Sequence, residues 1–159
     1  MTGMVAPGAG VVRSSQSEVV PDLFIGSRPV PGRPTHVDTI VLAAMEYQPS
    51  ADLFPGVEVI HVPIDDDPSR PMPAGEIDAA VRAGRRAARR LRAGRRVLVS
   101  CVMGLNRSSL IAALAMSEVY GMPADEIIAR IRQARGAWAL SNPHFERLLR
   151  VVIDERCGS

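Results

Sequence analysis

Between Val97 and Met116 the chain is apolar almost without interruption, and its few polar residues divide it into three pieces. Val97-Leu98-Val99 reads as a short buried strand. Cys101 to Arg107 contains Gly104 and Asn106 and reads as a tight loop. From about Ser108 to Tyr120 the residues are apolar nearly all round, which predicts a central core helix closed by Gly121.

The remaining pattern supplies elements to pack around this unit. Val19 to Gly26 predicts a turn at Pro21-Asp22 followed by a short apolar strand stopped by the glycine. Three prolines between Arg28 and Pro34 demand a loop, Val37 to Ala43 reads as a strand, and Glu46 to Pro55 is a turn-rich connection. Val57 to Ile64 is too apolar for a solvent-facing edge and is expected at the buried centre of a sheet. It ends in Asp65-Asp66-Asp67-Pro68, followed by a surface loop from Ser69 to Gly75. Glu76 to Leu91 places Ile77, Val81, Gly84, Ala88 and Leu91 on one helical face, with Arg82, Arg85, Arg86, Arg89 and Arg90 on the other. After Pro123, Asp125 and Glu126 open a helix with Ile127, Ile128 and Ile131 inward and Arg130, Arg132 and Arg135 outward. Gly136 to Asn142 is a loop, and Pro143 to Glu155 a last helix with Phe145, Leu148, Leu149, Val152 and Ile153 as its apolar stripe. Strands early and helices late, with a strand–loop–helix unit between, predict an α/β domain with a central, mostly parallel sheet flanked by helices. Residues 1–17 lack the apolar content to order themselves and are expected to form a flexible leader to a domain at 18–159.

Composition narrows this picture. A length of 159 residues with 47% apolar content suits one domain with a real core, and 4% aromatics means that Val, Leu, Ile, Ala and Met build it. Two cysteines make no disulfide framework and suit a reducing, cytoplasmic setting. Neither a targeting segment nor a run of membrane-spanning length is visible. All nineteen basic residues are Arg, a bias that with abundant Ala, Gly and Pro looks like GC-rich bacterial coding. A net charge of +2 makes no argument about partners.

The chemistry gathers in the central unit. A strand, a glycine-containing loop and a helix start aim several backbone N–H groups and a helix dipole at one point, a nest suited to phosphate. Arg107 closes the loop, and its fork of donors matches two phosphoryl oxygens at once. Cys101 lies at the bottom of the same field, which favours its thiolate. Nucleophile and clamp therefore share one loop.

The spacing Cys101-x5-Arg107-Ser108, with Gly104 between, a strand before and an apolar helix after, resembles the signature loop of the cysteine-based protein phosphatases. The element order from about Glu18 onward resembles their compact dual-specificity branch. The resemblance implies a metal-independent reaction in two steps without cofactor, with Cys101 as nucleophile and Arg107 holding the phosphoryl group. It further implies that the loop 102–107 (Val102, Met103, Gly104, Leu105, Asn106 and Arg107) binds phosphate, and that Ser108 hydrogen-bonds the sulfur and helps turn over a phosphocysteine intermediate. A helix N-cap is the alternative role of Ser108. Asn106 could brace the loop, and Gly104 serves loop conformation or close approach of the phosphate. The family's general acid is an Asp about thirty-five residues before the Cys, after a strand of apolar-Pro-apolar form. Val62-Pro63-Ile64-Asp65-Asp66 matches, making Asp66 the first candidate, Asp67 the second and Asp65 the third. Adjacent carboxylates resist joint ionisation, which helps keep one protonated. One departure stands out: the family usually has His before the Cys, and here the residue is Ser100, which offers a hydrogen bond but no positive charge.

The expected substrate is a phosphorylated protein or another phosphomonoester. Two alternatives stay open, a pseudophosphatase that binds phosphorylated ligands without turnover, and a phosphatase for RNA 5′ ends or phosphoinositides. The Arg stripe at 82–96 could meet an anionic partner, but no interleaved aromatics support nucleic acid, and a solvated helix face is the ordinary reading. Trp138 and Asn142 either rim the pocket or, for Trp138, anchor the core. His36, His61 and His144 lie far apart without acid or Cys at ligand spacing, so no metal site is expected, and Cys157 reads as a bystander. Oligomeric state is not encoded in any of these patterns.

Overall fold

A computed structural model describes residues 16–32 and 36–157, with the side chain of Cys157 excepted. The expected leader therefore falls largely outside the described residues. What is described begins as a strand: β1 (Gln16–Val20) turns through Pro21-Asp22 into β2 (Leu23–Gly26), so Gln16 and Ser17, expected in the leader, belong to a strand. β3 (Thr39–Ala44), β4 (Glu58–Ile64) and β5 (Val97–Ser100) complete a sheet in the order β1-β2-β5-β3-β4, in which only the β1/β2 pair is antiparallel.

One strand is placed differently from expectation. β4 is an edge strand, not the centre, and its central stretch alternates buried Ile60, Val62 and Ile64 with exposed His61 and Pro63. An edge tolerates the missing N–H of Pro63, and its apolar appearance in sequence comes from half-buried Val57 and Val59 packing on the second face. The centre is taken by the shorter β5, flanked by parallel partners on both sides.

The helices are α1 (Ala74–Arg92), α2 (Arg107–Tyr120), α3 (Ala124–Arg135) and α4 (Pro143–Cys157). Their buried apolar side chains all join one large cluster with Leu23, Ile25, Val41, Val97 and Val99, while the opposite sheet face carries a smaller cluster of Val37, Ile40, Leu42, Phe54 and Leu98. The period-2 alternation of β2, β3 and β5 thus feeds two cores. α2 is the central helix, buried from Arg107 through Ser117 and ended by Gly121 in a left-handed conformation.

The face of α1 that packs is rotated from the expected one: Ala80, Ala83, Gly84, Ala87 and Ala88 are buried, whereas Ile77, Val81 and Leu91 are only half-buried. The reason is close approach to α2, since a Cβ on Gly84 would lie 2.6 Å from Leu114 Cβ. Half of the Arg stripe is engaged with neighbouring acids: Arg90 and Arg86 reach Glu58, Arg85 reaches Glu118, and Arg96 reaches Asp38. On α3 the three Ile face inward as expected, but Arg135 is buried rather than outward. No described helix is long and apolar enough to cross a membrane.

Candidate active site

Because β2 to β5 run parallel, the segments that leave their C-terminal ends meet along one edge of the sheet. Glu46 follows β3, Asp65 to Asp67 follow β4, and the loop 101–106 follows β5 into α2. Residues far apart in sequence are brought together there by strand order alone.

Cys101 is buried, with Sγ 3.2 Å from Ser108 Oγ. Ser108 lies inside the first turn of α2 and is not its cap; the capping position belongs to Asn106, whose side chain makes no cap hydrogen bond. The first amides of the helix are therefore left without a side-chain acceptor, on the side where the dipole favours an anion. No backbone carbonyl among the described residues accepts the amides of Val102 to Asn106. Gly104 adopts φ +68°, and a Cβ there would lie 2.7 Å from the carbonyl carbon of Gly26. The glycine thus serves loop conformation and close approach of neighbouring backbone.

Arg107 is 6% exposed. Its Nη1 and Nη2 donate to the two carboxylate oxygens of Glu46, the second at 2.8 Å, and Nη1 also donates to the carbonyl of Ile64 at 3.0 Å. Burial opposes its charge, but the Glu46 carboxylate, with Cys101 and Asp66 behind it, outweighs burial and raises its pKa. The same pair holds Glu46 down at about 2. Its buried Nε has no hydrogen-bond partner among the described residues, an orphaned donor in a charged group. Glu46 was not legible as a site residue from sequence; a lone acid two residues past a fully buried strand was its only signal.

The three aspartates separate clearly. Asp65 takes Arg70 Nη2 at 2.9 Å, and Asp67 takes the amide and hydroxyl of Ser69 and also Arg70. Those contacts with Ser69, helped by Arg70, lower the Asp67 pKa, opposite to the expected mutual discouragement of ionisation. Asp66 instead turns toward the loop: Asn106 Nδ2 donates to one oxygen at 3.1 Å and Asn142 Nδ2 to the other at 2.8 Å. Asn106 Oδ1 accepts the Asn142 amide at 3.1 Å, so three segments are tied at one point. Asn142 is buried, while Trp138 is 72% exposed and is no core anchor. Ser100 is buried with its hydroxyl toward the Val41 carbonyl at 3.5 Å, the outer limit of a hydrogen bond. No group of His, Cys, Asp and Glu suited to a metal ion is found among the described residues.

Arranged this way, the site can take an oxyanion onto loop amides and a buried guanidinium, with the Cys101 sulfur at the start of the same loop and the Asp66 carboxyl group held against Asn106 within it. No protein-family model matches the sequence, and no curated protein matches it significantly. Solved structures do match. Human DUSP28 is 24% identical with a TM-score of 0.77, covering 95% of this chain and 100% of its own. Tk-PTP in its active form is 22% identical with a TM-score of 0.73, covering 90% and 98%. A human tyrosine phosphatase-like serine/threonine/tyrosine-interacting protein is 18% identical with a TM-score of 0.73, covering 91% and 99%. A fold hosts chemistry without deciding it. From the β1/β2 hairpin to α4, the chain has the fold of the dual-specificity phosphatases, as the resemblance in its Cys101 to Ser108 loop implies.

Proposed function

We propose that this chain is a cysteine-dependent phosphatase that hydrolyses phosphomonoesters, phosphotyrosine or phosphoserine and phosphothreonine of proteins, through a phosphocysteine intermediate. The observation that carries this reading is the convergence of Cys101, the Glu46-braced Arg107 and the doubly held Asp66 on one edge of the sheet.

In the first step the Cys101 thiolate attacks phosphorus, the S–P bond forms as the ester P–O bond breaks, and Asp66 gives its proton to the leaving oxygen. Loop amides and Arg107 hold the equatorial oxygens, where charge stays high throughout, and each such donor is worth about 10²–10³ in rate in other enzymes. In the second step Asp66 takes a proton from water as the water oxygen attacks phosphorus. The S–P bond breaks, inorganic phosphate leaves, and the Ser108 hydroxyl, already beside Sγ, stabilises the departing thiolate.

The test is hydrolysis of a small aryl phosphate, with chelator present, by the native chain and by Cys101→Ser. Turnover by the native chain that vanishes in the variant, together with an acid-trapped phosphoenzyme that the variant cannot form, is the expected result. Turnover that survives in Cys101→Ser overturns the mechanism. A native chain that binds tungstate but never turns over points to the phosphatase-like alternative.

A further inference from the structure

Arg135 is a buried charge that the reaction above does not use. It sits at the last residue of α3, 6% exposed, and points at the back of the Cys101 to Arg107 loop. Nε donates to the Gly104 carbonyl at 3.0 Å, Nη2 to the Met103 carbonyl at 3.2 Å, and Nη1 to Ser17 Oγ on β1 at 3.1 Å. A third loop carbonyl, that of Leu105, accepts the Leu140 amide from the segment that follows α3, at 3.0 Å.

These contacts constrain more than the carbonyls. In a trans peptide plane the C=O and the following N–H point in opposite directions, and no cis peptide bond is present among the described residues. Carbonyls 103, 104 and 105 drawn toward α3 and its following loop therefore turn the amides of Gly104, Leu105 and Asn106 the other way. Three successive amides held on one side are what an anion nest requires. Gly104 is the residue that permits it, at φ +68° and with no Cβ to strike Arg135 Nη2, which would lie 2.5 Å away.

We infer that Arg135 is a positioning residue for the oxyanion cradle: by gripping the Met103 and Gly104 carbonyls from behind, it presets the loop amides that receive the phosphoryl group. The inference rests on the proposed phosphatase reading for its substrate, but the cradle is defined by geometry alone. The cation also sits within the field of the nucleophile. Burial lowers the Arg135 pKa and charge on Cys101 works against that fall, so the two groups interact through the loop. A guanidinium stays protonated even so. A neutral donor could satisfy one carbonyl, but only the planar fork reaches two successive carbonyls while adding positive charge behind an anion site.

Binding of tungstate to the native chain, to Arg135→Met, to Arg135→Lys and to Ser17→Ala, read by calorimetry without turnover, tests this directly. Arg135→Met should bind about tenfold more weakly. Lys, which keeps the charge but not the fork, should recover part of the loss, and kcat/KM for an aryl phosphate should fall in the same order. Ser17→Ala, which removes the Arg135 contact to β1 and the Ser17 bond to the Ala134 carbonyl but leaves both loop carbonyls gripped, should bind within about twofold of native. A folded Arg135→Met with native tungstate affinity overturns the inference. Should the Met variant not fold, Arg135→Lys decides: binding at least about threefold weaker supports it, and native affinity overturns it. Turnover that persists in Cys101→Ser would instead refute the cysteine-dependent mechanism, with the tungstate series still readable.

Discussion

Asn142 Nδ2 donates to Asp66 Oδ1 at 2.8 Å, across 76 positions of sequence. The other Asp66 oxygen takes Asn106 Nδ2, so the carboxyl group is gripped by two amides that do not themselves titrate. Asn142→Ala should release one oxygen and lower kcat by about tenfold on an alkyl phosphate, as small misplacements of catalytic groups do. Steady-state kinetics showing a change in KM alone would argue that Asn142 shapes binding instead.

The proposed acid is tested by its dependence on the leaving group. Asp66→Asn should reduce kcat by about 10²-fold for a phenyl phosphate, and far less for a nitro-substituted ester whose leaving oxygen needs no proton. Asp67→Asn and Asp65→Asn should change kcat by no more than about threefold, because both carboxylates are committed to Ser69 or Arg70. A leaving-group effect in Asp67→Asn equal to that in Asp66→Asn would reverse the assignment.

Stability at low pH should depend on Glu46. Hydrogen bonding from Arg107 lowers its pKa from 4.5 to about 2, so the pair stabilises the fold above about pH 4.5 and its contribution is lost as pH falls toward 2. Glu58, held at about 2 by Arg90, adds a second contribution of the same sign. The Glu46 side chain is more than half exposed, and solvent screening keeps the effect modest. Urea midpoints of the native chain and Glu46→Gln should differ at pH 6 and converge as pH drops from 4.5 to 2. A gap that stays constant would mean that the carboxylate charge does not contribute.

Gly104→Ala combines strain at φ +68° with a Cβ within 2.8 Å of Arg135 Nη2 and the Gly26 carbonyl group. A cost of about 1–3 kcal/mol is expected, with loss of tungstate binding before loss of fold. A variant with native affinity would show that the loop tolerates another path.

Gly84→Ala probes the helix pair far from the chemistry. Ala ordinarily favours a helix interior by roughly 0.5–1 kcal/mol, but here its methyl would meet Leu114 Cβ at 2.6 Å. Overpacking should win, destabilising the chain by about 1–3 kcal/mol with activity retained in what remains folded. A rise in thermal midpoint would show that α1 can shift outward at no cost.

Local pattern determined a good deal by itself. The apolar core helix, its Gly121 stop, the strand before Cys101 and the spacing of Cys101, Arg107 and Ser108 all follow from residues within one turn or loop of each other, where sequence distance and spatial distance coincide. Tertiary structure decided the rest. The central position of β5 over β4, Glu46 as the brace of Arg107, Asp66 rather than its neighbours as the residue facing the loop, and Arg135 turned inward all depend on strand order and on which loops it brings to one edge. A buried guanidinium and a solvated one look alike in a helical pattern, because periodicity assigns a face while only the packed neighbours determine what that face meets.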